Sequence, residues 1–511
     1  MLSKASIRWY IAPLATVFCI LAIVGLIYGS IEGVFSYDDG IRHFTLAQML
    51  ASNGAASFSG WGDFLYSGYF SEIDLDPWFL SHIVIMPLAS LGVIAGMKMF
   101  VLISIALLCI IYASIGRSIG LSSKLTSMFL MILIMEYSMF YARLHLARPY
   151  VLMIAITVLV IWSIIHRKIY WVFPLLALGT LLSHLFMMPL IIASWGCIWL
   201  WSIGERGTGV RLAVVSLAGV ALGIILHPQS LNYAHYIATT FYVPLLLNDI
   251  GKGNEIHSGL DIAAMPAAMI GMITLWLAVA IHNGKTTLKK LQNDGISFVY
   301  FTSYFLVIGV ILVARTIDFA WPVIILLMMM AVAIDPHAPA ISAKKIFPGT
   351  VCKRGIFLCL LFVFPLISIG KMYSEIQTSN YSPSTYTSTL KGIPSGSKIL
   401  NIDWAIFSLL FSVRQDLTYA RGMDPTFDFI TDIDKARLFV IPLHKDREYL
   451  DAQKWLEDLL EGYEGDYLAI WNPYHPDLVG RIQDFDVLEM HFDDGEDGFT
   501  IFRIDRSLRA K

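Results

Sequence analysis

Runs of about 20 consecutive apolar residues recur from the N-terminus to about residue 371. No other feature of the chain restricts its fold so strongly. A hydrocarbon layer about 30 Å thick is crossed by about 20 helical residues at 1.5 Å each. Inside that layer every backbone polar group must be satisfied within the segment, which leaves the α-helix for single runs of this length. Eleven stretches fit: 11–30, 97–115, 125–141, 149–165, 170–186, 187–203, 210–227, 261–281, 296–313, 319–334 and 355–372. Hydrophobic residues make up 57% of the chain and charged residues 15%, which excludes an ordinary soluble domain. The expected fold is a polytopic α-helical membrane protein of about 11 spans. Stretch 77–91 is apolar but short and reads as an interfacial helix. The first run is long for a signal-peptide core and lacks a small-residue cleavage site, so it is expected to stay as an anchor.

Basic residues orient the spans. Lys4 and Arg8 precede the first one. With eleven spans, Arg117 and Lys124, Arg167 and Lys168, Arg206 and Arg211, Lys285, Lys289 and Lys290, and the group Lys344, Lys345, Lys353 and Arg354 all fall on the same side. Counting 77–91 as a span would put most of them opposite. The positive-inside rule therefore predicts a cytoplasmic N-terminus, with the first loop and the C-terminus outside. The net charge of -3 comes with no basic tract, so nothing points to nucleic acid. The cysteines Cys19, Cys109, Cys197, Cys352 and Cys359 avoid the polar C-terminal region and show neither a disulfide framework nor zinc spacing. Compact loops and the lack of outer cysteines lean toward a bacterial inner (plasma) membrane.

The face expected to point outward gathers ionisable residues. Asp38, Asp39, Arg42 and His43 follow the first span directly. Charge at the hydrocarbon edge is costly to hold, which makes such a cluster a functional candidate. Asp39, Arg42 and His43 share one helical face at spacings of three and four, and Asp38 reaches Arg42 at four. A structural alternative is that Ser36 and Asp39 form a capping pair at a helix start. Asp74, Asp76 and His82 follow, then Arg143, His145 and Arg148, then His184, then His227, His235, Asp249 and His257, then Arg315 and Asp318. The first loop, 31–82, is long enough to suggest function. It carries Phe58, Trp61, Phe64, Tyr66, Tyr69, Phe70, Trp78 and Phe79. An interfacial aromatic belt accounts for Trp78 and Phe79. Asp74-Leu75-Asp76 is a second acidic candidate able to take a metal, although Asp76-Pro77 also suits a helix start.

From residue 375 the composition changes. Residues 381–397 are rich in Ser, Thr, Pro and Gly and read as a linker. Stretches 398–402 and 467–471 look like buried strands, and 447–463 has a helical pattern. Residues 487–492 and 499–504 flank Asp493-Asp494-Gly495-Glu496-Asp497-Gly498, a hairpin signal. The expected division is a membrane part over 1–374, with the long first loop, and a small α/β domain outside the membrane over 375–511.

An acidic pair after the first span, a long outer loop, a proline-led interfacial helix and a second span ending in Gly116-Arg117 resemble the GT-C glycosyltransferases. Within them the pattern is most similar to the protein O-mannosyltransferases and the aminoarabinose transferase that modifies lipid A. The resemblance covers about residues 8–165, with Arg148-Pro149 opening the fourth span. Those enzymes commonly carry Asp-Glu where this chain has Asp38-Asp39, and the C-terminal region does not resemble the mannosyltransferases' β-trefoil module. The resemblance implies transfer of a sugar from a polyprenyl-phosphate-linked donor to a glycan, lipid or protein acceptor outside the membrane. Asp38 would be the general base, with Asp39 beside it. Arg42, His43, Arg143, His145 and Arg148, then His184 and Arg315, would hold the donor phosphate or substrate. No cofactor is required, and a divalent metal is left open. The loop 228–260, with Tyr233, Tyr236, Phe241, Tyr242 and Leu245 to Leu247, is expected to help hold the lipid carrier. A flippase or transporter, a polymerase of lipid-linked repeat units and a scaffold are the alternatives. A transporter calls for ionisable groups in mid-membrane, where Glu136 stands nearly alone.

Overall fold

A computed structural model of the chain describes residues 4–31, 34–35, 39–54, 58–246, 260–282, 284, 286–313, 316–334, 370, 373–374, 380–381, 386–404, 406–422, 431–440, 452–473, 475, 477–495 and 498–507. The chain forms two compact units. Unit 1 comprises Met1–Glu32, Lys98–Leu226 and Glu255–Thr378; unit 2 comprises Gly33–Met97, His227–Asn254 and Ser379–Lys511.

The long apolar helices mark a multi-pass membrane protein. Among the described residues six are long and apolar enough to cross a membrane: Arg8–Gly29, Val93–Ser118, His184–Ser202, Arg206–Leu226, Ile262–His282 and Ile317–Ile334. Ser123–Glu136 and Met139–His145, bent by 78°, make a seventh if taken as one span. Val151–Ile165, Ile169–Leu182 and Ile296–Leu312 are apolar but shorter. Helices thus occupy ten of the eleven expected stretches, and 355–372 lies almost wholly outside the described residues. Phe79–Ala89, with 11 residues, is about 16 Å long and too short to cross.

Two features of unit 1 follow from the need to satisfy backbone where water is absent. Helix Arg206–Leu226 crosses helix Val172–Leu182 at Gly219 and Gly223. A Cβ on Gly219 would lie 2.5 Å from the Phe173 carbonyl oxygen, and one on Gly223 would lie 2.5 Å from the Thr180 Cβ. Small residues four apart let backbones approach this closely, the usual contact between membrane helices. The bend near residue 137 comes from a π-helical turn, Ile132–Glu136, which breaks the regular hydrogen-bond ladder. The Trp321 indole N–H donates to the Leu133 carbonyl at 3.0 Å, and Tyr137 Oη donates to the Ile262 carbonyl at 2.6 Å. Trp321, on a neighbouring helix, thereby serves a backbone carbonyl inside the irregular turn.

Unit 2 is built around a five-stranded sheet of order β4-β3-β5-β7-β6. Its strands are β3 (Lys398–Asn401), β4 (Thr418–Tyr419), β5 (Tyr467–Trp471), β6 (Leu488–Asp493) and β7 (Phe499–Ile504). β3, β4 and β5 run parallel; β7 is antiparallel to β5 and β6, and Gly495 at φ 77° turns the β6–β7 hairpin. The amphipathic helix Ala452–Gly462 lays Trp455, Leu456, Leu459 and Leu460 on this sheet, against Leu468, Ile470 and Phe502. Helix α2 (Asp39–Asn53) and the rest of the first long loop belong to the same unit. The loop extends the sheet at its β4 edge. Tyr419 N–H donates to the Phe64 carbonyl at 2.8 Å, and Tyr66 N–H donates to the Tyr419 carbonyl at 3.0 Å. A further pair, β1 (Val34–Phe35) with β2 (Asn380–Tyr381), is antiparallel.

Two of the loop aromatics serve this unit. Trp61 and Phe64 are buried against Phe407 and Phe411, with ring centroids 4.8 to 6.1 Å apart. The expected 1–374 and 375–511 division differs from the compact units in the placement of this loop and of residues 227–254.

Candidate functional site

Helix α2 begins at Asp39, whose charge suits the positive end of the helix. Asp38 lies outside the described residues. One turn on, Arg42 Nη2 is 3.3 Å from Asp39 Oδ1. The Arg42 guanidinium also lies 5.2 Å from the Trp61 ring centroid and 5.1 Å from that of Trp78, and Nη1 donates to the Gly422 carbonyl at 2.7 Å. Only 2% of the side chain is exposed. A planar cation that lies over two indoles and donates to a carbonyl is held in place. Arg42 fastens α2 to the segment that follows β4, so its charge is committed to protein groups.

His43, beside it, belongs to a buried chain. Asp76 Oδ2 lies 2.6 Å from His82 Nδ1, and His82 Nε2 lies 2.7 Å from His43 Nδ1. Asp76 and His82 are fully buried and His43 nearly so. An ionised carboxylate only accepts, so His82 Nδ1 carries a proton. Neutral His82 then offers a bare Nε2, which accepts from His43 Nδ1–H. Asp76 thereby orients His82 and, through it, His43, the arrangement of a positioned acid–base histidine.

His227 closes the far side. Its Nε2 donates to the Asp76 carbonyl at 3.1 Å, and its Nδ1 accepts from Gln229 N–H at 3.2 Å. Both nitrogens are used in the neutral tautomer, and burial pushes its pKa down. Gln229 also accepts from Asp76 N–H and donates to the Ser59 carbonyl.

The Asp74–Asp76 pair departs from its expected shape as a metal-binding tripeptide. Asp76 Oδ1 accepts from Trp78 N–H at 3.1 Å while Oδ2 holds His82, and Asp74 is exposed, with its carbonyl accepting from Asn232. Among the described residues no group of three or more His, Cys, Asp or Glu is placed to hold a metal. The expected carrier residues Tyr233 and Tyr236 are buried, Tyr233 stacked on His227 at 4.2 Å and Tyr236 near Phe70 at 5.7 Å. The side chains of Phe241, Tyr242 and Leu245 to Leu247 lie outside the described residues.

Unit 1 holds the other expected phosphate ligands. Arg143 forms a two-pronged pair with Asp318, Nε to Oδ1 at 3.0 Å and Nη2 to Oδ2 at 2.9 Å. A phosphate would have to compete with that buried carboxylate. His145 is buried, with Nδ1 2.5 Å from Tyr28 Oη and Tyr141 packed edge-on at 4.5 Å. Ala147 has φ 53°, a strained corner for a residue with a Cβ, between His145 and the half-buried Arg148. His184, also half-buried, starts a short 3₁₀ turn, and Arg315 lies outside the described residues.

His82 and His227 carry no assignable role in the sequence alone, because the His43–His82 contact joins residues 39 apart and the His227–Asp76 contact residues 151 apart. The buried pair Asp403 Oδ1 and His475 Nε2, at 2.9 Å, left no signal at all. Comparison with models of known protein families gives no match, and no curated protein is similar to the chain.

Proposed function

We propose that the chain is a membrane glycosyltransferase that moves a sugar from a polyprenyl-phosphate donor to an acceptor on the outer face of the membrane. The observation that carries the reading is the Asp76–His82–His43 chain at the start of α2, beside Asp39 and next in sequence to Asp38. An acceptor hydroxyl attacks only as it loses its proton. Asp38 is the base in this reading, Asp39 caps the helix and tethers Arg42, and the Asp76–His82–His43 chain fixes the orientation of the histidine beside them. The departing lipid phosphate is anionic and calls for cations. Eleven spans, a cytoplasmic N-terminus, an outward C-terminal domain and a bacterial inner membrane belong to the same proposal. The basic loops support the orientation.

A second reading, a flippase for a lipid-linked sugar, draws on Glu136, buried at the π-helical break of a membrane helix. Purified protein in liposomes with a radiolabelled polyprenyl-phosphate sugar separates the two. Transfer to acceptor should fall by about two to four orders of magnitude in Asp38→Asn, the scale of a lost general base, and should persist in Glu136→Gln. Normal transfer by Asp38→Asn contradicts the base assignment. Sugar translocation without transfer, abolished by Glu136→Gln, supports the flippase.

A further inference from the structure

Unit 2 contains a cleft of about 350 Å³ lined by Tyr66, Ser67, Gly68, Ser71 and Glu72 of the first long loop and by Lys398, Thr431, Asp432, Lys435, Gly462, Tyr463 and Glu464. No aliphatic side chain lines it, so it does not suit a lipid tail. Its volume is at the small end of ligand cavities, about 300–1,000 Å³, which fits one or two rings.

The lining alternates acceptors and donors. Lys398 and Glu464 pair with each other, and Lys398 lies over the Tyr66 ring at 5.5 Å. Asp432 accepts from the backbone N–H groups of Asp434 and Lys435 through Oδ1. The Ser67 and Ser71 hydroxyls donate to the Ala420 and Gly68 carbonyls, which leaves their lone pairs as acceptors. Among the described residues the Glu72 carboxylate and the Lys435 ammonium make no hydrogen bond or ion pair, although both line one cleft. Opposite charges that share a cleft without pairing leave both free for a ligand lying between them. A carboxylate accepts two hydroxyls at once and an ammonium donates to oxygen. A ligand dense in hydroxyls satisfies both, and a hydrocarbon satisfies neither.

The geometry points to a saccharide-binding cleft, with Glu72 and Lys435 as the groups that grip the sugar hydroxyls. The inference rests on the glycosyl-transfer reading only in its choice of a saccharide over other polyols, and it assigns the glycan acceptor a place on unit 2. Its test is ligand-observed saturation-transfer NMR on the full-length protein in nanodiscs, with maltotriose and chitotriose as probes. At least one trisaccharide should receive saturation from the wild type. The signal should fall at least fivefold in Glu72→Gln/Lys435→Met and stay unchanged in Lys391→Met, an exposed lysine outside the cleft. All three side chains are exposed, so the fold is not at risk. No saturation of either sugar, or equal saturation of the double variant, overturns the inference. Binding is read without turnover: a protein that binds but never transfers keeps the cleft and loses the activity, and one that transfers without this binding does the reverse.

Discussion

His227 carries a pH signature that follows from its hydrogen bonds. Its neutral form is fully used by Asp76 and Gln229, and burial lowers its pKa below the ordinary value of 6.5. The unfolded chain therefore binds the proton more readily than the folded one. Stability is fully present above about pH 6.5 and is lost as pH falls through that value. The apparent melting temperature in nanodiscs should drop between pH 7.5 and 5.5, and the drop should shrink in His227→Gln; an unchanged pH slope in that variant contradicts the assignment. The Asp39–Arg42 pair was legible because a helix imposes a spacing of three. The Asp76–His82–His43 chain was only half legible: His82 follows Asp76 by six, but His43 precedes His82 by 39, and no periodicity reports a contact over that distance.

Individual helices were the most legible level, because a run of 20 apolar residues has one economical solution in lipid. What the runs did not disclose is where a helix breaks or touches. The π-helical turn at Ile132–Glu136 sits inside an apolar run with neither Pro nor Gly to announce it. The Arg143–Asp318 pair joins two helices 175 residues apart. Asp318→Asn removes the carboxylate from a largely buried guanidinium, which should cost about 3–5 kcal/mol. Arg143→Met/Asp318→Leu removes both charges and should recover most of it. Denaturant unfolding in detergent reads both, and a harmless Asp318→Asn contradicts the pairing. Gly219→Leu should cost about 1–3 kcal/mol by overpacking, because the nearest atom is a backbone oxygen that cannot rotate away. Unaltered unfolding of that variant would count against the crossing.

For the molecule as a whole, the change of composition near residue 375 revealed a separate α/β region, and the Gly-rich hairpin was readable from its turn. That the first long loop completes this region was not readable. The linking strand β4 is two residues long, and its partner segment at Phe64 to Tyr66 reads as an aromatic loop. The proposed orientation places the C-terminus outside the cytoplasm; a reporter fused after residue 511 that works only in the cytoplasm refutes it. The central claim is sugar transfer, and its most direct measurement is mass spectrometry of surface glycans and glycolipids from cells with the chain, without it, and with Asp38→Asn in its place. The account predicts one sugar-bearing species present with the wild type and missing from both other samples. Identical profiles in all three, with the proteins expressed and membrane-inserted, would contradict it.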